Sequence, residues 1–125
     1  MTKTILTVDD SRTIRQMLRV ALVQAGFDVV QAEDGIHGLE VLGGVLPDLI
    51  ITDINMPRLG GFQLIEEVRH DAHHRAVPIF VLTTESDPEK KALAKRVGAT
   101  GWIVKPFDPV RLVDVIRRVT PGGSS

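Results

Sequence analysis

The chain has 125 residues, 43% of them hydrophobic and 25% charged, which is the profile of one globular domain long enough to bury a core. A net charge of -1 gives no basis for nucleic-acid binding, and the lack of cysteine excludes disulfides and thiolate metal sites while allowing a reducing compartment. Asp9 and Asp10 interrupt the opening segment before a signal-peptide core forms, and no apolar run approaches a membrane span, so a cytoplasmic protein with no membrane contact is expected.

Thr4 to Val8 reads as a strand, with Asp9, Asp10 and Ser11 directly after it. Ile14, Met17, Leu18, Ala21, Leu22 and Ala25 then recur at three and four, one face of a helix that Gly26 stops and that Asp10 or Ser11 can cap. Asp28 to Gln31 is a short second strand. Asp34-Gly35 opens a second helix carrying Leu39 and Leu42, which Gly43-Gly44 ends. The third strand is Leu49-Ile50-Ile51-Thr52-Asp53, an apolar run that looks like a buried parallel strand delivering a carboxylate to the sheet's rim. Ile54-Asn55-Met56-Pro57 follows, and Pro57 cannot extend the ladder.

Arg58 to Gly61 is a turn, and Phe62, Ile65 and Val68 mark the apolar side of a third helix. Pro78 enters a fourth strand, Ile79 to Leu82, which ends on Thr83-Thr84. Either Ser86 with Glu89, spaced as a capping box, or Asp87-Pro88 starts the fourth helix, which runs through Ala92, Leu93 and Val97 to Gly98. A fifth strand, Gly101 to Val104, ends on Lys105-Pro106. Asp108-Pro109 begin the last helix, with Leu112, Val115, Ile116 and Val119 inward. Residues 1–120 form the expected domain and 121–125 a flexible tail.

Five strands alternating with five helices over short connections predict an α/β fold, a doubly wound parallel sheet covered on both faces. Ligands bind such sheets beyond the carboxyl ends of the strands, near the point where strand order reverses. Asp9 and Asp10 follow strand one, Asp53 ends strand three, Thr83 and Thr84 end strand four, and Lys105 ends strand five. If the strand order is 2-1-3-4-5, these groups converge on one rim. Three carboxylates against one ammonium repel unless a cation joins them, and Mg2+ suits an oxygen donor set that must also meet phosphate. Lys105 and a threonine hydroxyl suit a phosphoryl group on the other side of the ion. With no histidine base in the pattern, an already ionised nucleophile fits, and the chemistry read from the rim is phosphoryl transfer to Asp53.

The acid pair Asp9-Asp10, the run Asp53-Ile54-Asn55-Met56-Pro57, Thr83 and Lys105-Pro106 resemble the motifs of response-regulator receiver domains, in order and spacing and over essentially the whole chain. The resemblance is to the stand-alone, CheY-like chemotaxis type, and it implies a flavodoxin/CheY-like sheet of order 2-1-3-4-5 flanked by five helices. By that resemblance Asp53 would accept a phosphoryl group from a histidine kinase. Asp10, Asp53 and the Asn55 backbone carbonyl would hold Mg2+, with Asp9 acting through water. Lys105 would pair with Asp53 and then with a phosphoryl oxygen, and Thr83 would bind another. The Lys105-Pro106 bond would be cis. Asn55 and Glu85 stand where the family sets phosphate lifetime, and appreciable autodephosphorylation is expected of them.

Two departures from the family concern the switch and a turn. Trp102 stands where Tyr or Phe is usual, filling the space that Thr83 leaves on phosphorylation, and its indole N–H needs a partner when buried. Gly60 replaces a frequent Asp, read as a change of turn chemistry. His70, His73 and His74 read as a solvated helix end. Lys90, Lys91, Lys95 and Arg96 form a basic face that beside Trp102 also offers docking to an acidic partner.

The expected protein is a monomeric phosphoacceptor switch, not an enzyme acting on external substrates. It would bind the flagellar switch or another protein through the face of helix four, strand five and helix five. The open alternatives are a phosphate sink or relay, a receiver excised from a longer regulator, a constitutive adaptor, and an Asp-nucleophile phosphatase, for which Asn55 stands where a second Asp is needed.

Overall fold

Alternation of side chains along each strand decides how this chain layers. The computed structural model describes residues 2–120, and the tail expected over 121–125 lies outside them. Strands β1 (Thr4–Val8), β2 (Asp28–Ala32), β3 (Leu49–Thr52), β4 (Ile79–Thr83) and β5 (Gly101–Val104) form one parallel sheet of order β2-β1-β3-β4-β5. Helices α1 (Arg12–Gln24), α2 (Gly35–Leu42), α3 (Gly61–His70), α4 (Pro88–Val97) and α5 (Pro109–Val119) cover it. The predicted architecture is the observed one, with β2 and β4 each one residue longer than expected and β3 one shorter, since Asp53 lies just beyond it.

Ile5, Ile51, Phe80 and Leu82 face one side and pack on Leu18 and Leu22 of α1 and on Leu112 and Ile116 of α5. Leu6, Val8, Ile50 and Val81 face the other, against Leu42 of α2, Leu64, Ile65 and Val68 of α3, and Ala94 of α4. β3 and β4 are buried along their whole length, which is why they read as unbroken apolar runs. Edge strand β2 is only partly covered.

Local choices left open in the sequence are settled by the caps. Ser11, not Asp10, caps α1, its Oγ accepting the Ile14 N–H at 3.3 Å. Asp87 caps α4 through the Glu89 N–H at 2.9 Å, with Pro88 in the first turn. Gly98 ends α4 at φ 114°, a left-handed position suited to glycine.

Two expectations are corrected. Met17 is 45% exposed, because only Leu18 and Leu22 of α1 reach the sheet fully. The histidine run is not wholly a solvated helix end: α3 stops at His70 and the chain turns, burying His74 to 6% exposure. His74 Nδ1 lies 3.1 Å from Asp71 Oδ2, and Nε2 lies 3.3 Å from the Val45 carbonyl oxygen. Among the described residues, no helix is long and apolar enough to cross a membrane.

Candidate functional site

Register delivers the site. Val8 pairs with Thr52, so the next residues, Asp9 and Asp53, leave β1 and β3 side by side; Thr83 pairs with Val104, so Lys105 follows one step later. Asp9, Asp53 and Lys105 continue the pleat on the side of α1 and α5, whereas Thr83 and Trp102 lie on the side of α2, α3 and α4. Lys105 Nζ donates to Asp9 Oδ2 at 2.9 Å and to Asp53 Oδ2 at 3.1 Å. The second oxygen of each carboxylate is held by backbone: Asp9 Oδ1 accepts the Ser11 N–H at 2.8 Å, and Asp53 Oδ1 the Ile54 N–H at 2.7 Å.

Asp10 is exposed at the mouth of this arrangement, beside buried Asp9 and Asp53. Asp9, Asp10 and Asp53 each bring a carboxylate oxygen within 4.8 Å of the others, the one such acidic group among the described residues. Burial pushes the Asp9 carboxyl above its usual range, although the hydrogen bonds from Lys105 and the Ser11 amide pull the other way. Burial pulls Lys105 down, but its bonds and charge contacts with Asp9, and then Asp53, outweigh this and hold the ammonium above its usual value. One half-buried cation against three acids leaves a negative, oxygen-only donor set. Such a set fits a hard divalent cation.

Thr83 is 1% exposed, and its hydroxyl accepts the Glu85 N–H at 3.2 Å. Trp102 is partly buried, and its indole N–H donates to the Glu85 carbonyl at 3.1 Å. The Glu85 carboxylate in turn pairs with Lys90 at 3.1 Å. Asn55 is exposed in the loop after Asp53, and the Lys105-Pro106 bond is cis. The structure thus brings Asp9, Asp10, Asp53 and Lys105 together directly, and gathers Thr83, Glu85 and Trp102 as a second group.

Sequence reasoning missed two contacts. The motif pairs Lys105 with Asp53 alone, whereas Asp9 makes the shorter bond to the ammonium. The adjacency of two acids after β1 carried that signal, since only one of them can continue the pleat toward Lys105. It also missed Arg58, whose guanidinium grips Asp34 from the loop after Asp53; an Arg following Met-Pro announces no such partner.

The family described as the response regulator receiver domain matches residues 5–117. The chain is 38% identical over 126 residues to the phosphate regulon transcriptional regulatory protein PhoB of Pseudomonas aeruginosa, covering 98% of this chain and 55% of that protein. It is 37% identical over 107 residues to chemotaxis protein CheY1 of Helicobacter pylori, covering 84% and 86%. The crystal structure of chemotaxis response regulator CheY4 of Vibrio cholerae superposes with a TM-score of 0.90 at 44% identity, covering 95% of this chain and 99% of that one. Against three longer relatives the chain spans about half their length, 55%, 51% and 44%.

Proposed function

Because the chain belongs to the response-regulator receiver family, we propose that it is a phosphoacceptor switch in which Asp53 takes a phosphoryl group from a phosphohistidine of a histidine kinase. The observation that carries this reading is the Lys105 ammonium bridging Asp9 and Asp53 at 2.9 and 3.1 Å beside exposed Asp10. A carboxylate fixed by the Lys105 ammonium on one oxygen and the Ile54 N–H on the other is a positioned nucleophile. An Asp53 oxygen attacks phosphorus, the P–N bond breaks as the P–O bond forms, and the leaving imidazole keeps the electron pair and takes up a proton.

Asp10, the Asp53 carboxylate and the Asn55 backbone carbonyl are the groups that would hold Mg2+, with Asp9 behind them through water. Mg2+ supplies charge neutralisation for the phosphoryl oxygens when bound. Lys105 turns from carboxylate to phosphoryl oxygen, and the Thr83 hydroxyl, whose oxygen accepts from the Glu85 N–H, donates its proton to another. That pull reaches Trp102 through Glu85. Asn55 and Glu85 border the acyl phosphate and set its lifetime, so the signal limits itself by autodephosphorylation in a cytoplasmic, monomeric protein.

Output passes through the face of α4, β5 and α5, where Lys91, Lys95 and Arg96 of α4 are exposed and Lys95 lines a hollow with Trp102. Its likeness to chemotaxis proteins supports a target of the flagellar-switch kind, or a phosphate sink or relay. A second reading, a receiver that governs an output domain, is favoured by the 38% identity to PhoB over 55% of that protein.

The test is acetyl phosphate with Mg2+, followed by intact-mass analysis. A gain of one phosphoryl group in the wild type, absent in Asp53→Asn, is the expected result. An unmodified wild type overturns the reading and leaves an adaptor.

A further inference from the structure

The loop after β3 is held at its far end by side chains that phosphoryl transfer does not use. Arg58 Nε donates to Asp34 Oδ2 at 2.7 Å and Nη2 to Oδ1 at 3.0 Å, a two-pronged grip. Asp34 is itself fixed: it is 4% exposed and caps α2 by accepting the His37 N–H at 2.8 Å. Arg58 holds φ at 68°, a left-handed conformation that a bulky residue keeps only where its surroundings over-determine it. Backbone closes the same contact, with the Gly35 N–H donating to the Leu59 carbonyl at 3.1 Å. A Cβ on Gly35 would collide with that carbonyl. On the other side of the loop the Gly61 N–H returns to the Ile54 carbonyl at 2.9 Å, and Gly60, the N-cap of α3, has no side chain to brace the corner. The brace of this corner is Arg58, which reaches across to Asp34 at the start of α2.

We propose that Arg58, acting through Asp34, is a positioning residue that keeps residues 54–60 in the conformation in which the Asn55 carbonyl completes the donor set of Asp10 and Asp53. The inference rests on the metal reading above. Losing the grip frees the Arg58 backbone to leave the left-handed region, the loop relaxes, and the carbonyl ligand is lost while the three carboxylates stay where β1 and β3 put them. The effect therefore falls on the affinity for the ion more than on the fold.

The experiment is calorimetric titration of the whole chain with Mg2+ alone, comparing wild type with Arg58→Gln, Arg58→Lys, Asp34→Asn and the double variant Arg58→Gln/Asp34→Asn. Asparagine keeps an acceptor for the His37 amide and loses the charge. The Kd should rise about tenfold in Arg58→Gln and in Asp34→Asn, as loss of outer-shell support typically does. The double variant should lose no more than either single one. Arg58→Lys should recover part of the loss, since an ammonium cannot reproduce the fork. Faster amide exchange at Gly35 in Arg58→Gln should accompany the weaker binding. A saturable wild type whose Kd is unchanged in Arg58→Gln and Asp34→Asn overturns the positioning role and leaves the metal reading intact. A wild type with no saturable binding overturns the metal reading and the positioning role with it.

Discussion

Thr83 and Trp102 meet on the backbone of one residue, Glu85, whose N–H goes to the Thr83 hydroxyl at 3.2 Å and whose carbonyl receives the indole N–H at 3.1 Å. Any displacement of Thr83 toward Asp53 therefore acts on the partner of the only tryptophan. Beryllofluoride with Mg2+ should change the fluorescence of the wild type saturably. Thr83→Ala should remove most of that change while separate treatment with acetyl phosphate and Mg2+ still adds one phosphoryl group by mass analysis, and Asp53→Asn should remove all of it. An undiminished signal in Thr83→Ala would show that Trp102 senses the site by another route.

Lys105 stabilises the fold by answering two buried carboxylates, so Lys105→Met should unfold at lower urea by about 1–3 kcal/mol in the absence of divalent ions. Millimolar Mg2+ should restore part of this, because a ligand that binds only the native state stabilises it by mass action. The folded-state pKa of Lys105 is raised, so its contribution is fully present below the unfolded value and fades as pH rises through the folded one. The gap between wild type and variant should close in strongly alkaline solution.

The fold and the rim were legible in the sequence for the same reason. Buried parallel strands leave apolar runs such as Leu49 to Ile51, which stop at Asp53 after β3 and at Thr83 in β4, while the partly exposed edge strand β5 delivers Lys105. Which carboxylate meets Lys105 was less legible, because it depends on register: Asp9 and Asp53 leave abreast only because Val8 pairs with Thr52. The bond from Arg58 to Asp34 spans 24 residues and obeys no periodicity. His74 escaped too, since its burial depends on a turn after α3 that packs it under Val45, a segment distant in sequence.

Asp9 should show a conflict between stability and function. Burial raises its folded-state pKa, so its ionised form is disfavoured in the fold and stability is lost as pH rises through that value. Asp9→Asn removes the crowded charge but keeps one acceptor oxygen where Asp9 has two, enough for the Ser11 amide and not for Lys105 as well. At neutral pH without divalent ions its thermal midpoint should exceed that of the wild type by a few degrees, the shift that about 1 kcal/mol produces in a domain of this size. The difference should vanish in acid below the ordinary carboxylate range, where Asp9 is protonated in both states. Mg2+ binding should weaken in the same variant.

Acid stability should have the opposite sign at Asp34. The Arg58 side chain first, and then the His37 amide, hold its carboxyl below the usual range. A lowered folded-state pKa contributes stability that is present above the unfolded value of 3.8 and is lost as pH falls through the lower folded one. Asp71, lowered by the His73 amide and then by His74, loses stability over the same acid range. In thermal melts at a series of acid pH values, Asp34→Asn should therefore flatten only part of the decline seen in the wild type, and adding Asp71→Asn should flatten more. Because the two carboxylates lie in separate loops with different partners, their effects should add. A wild-type curve that stays level through this range would show that neither carboxylate gains from its partners on folding.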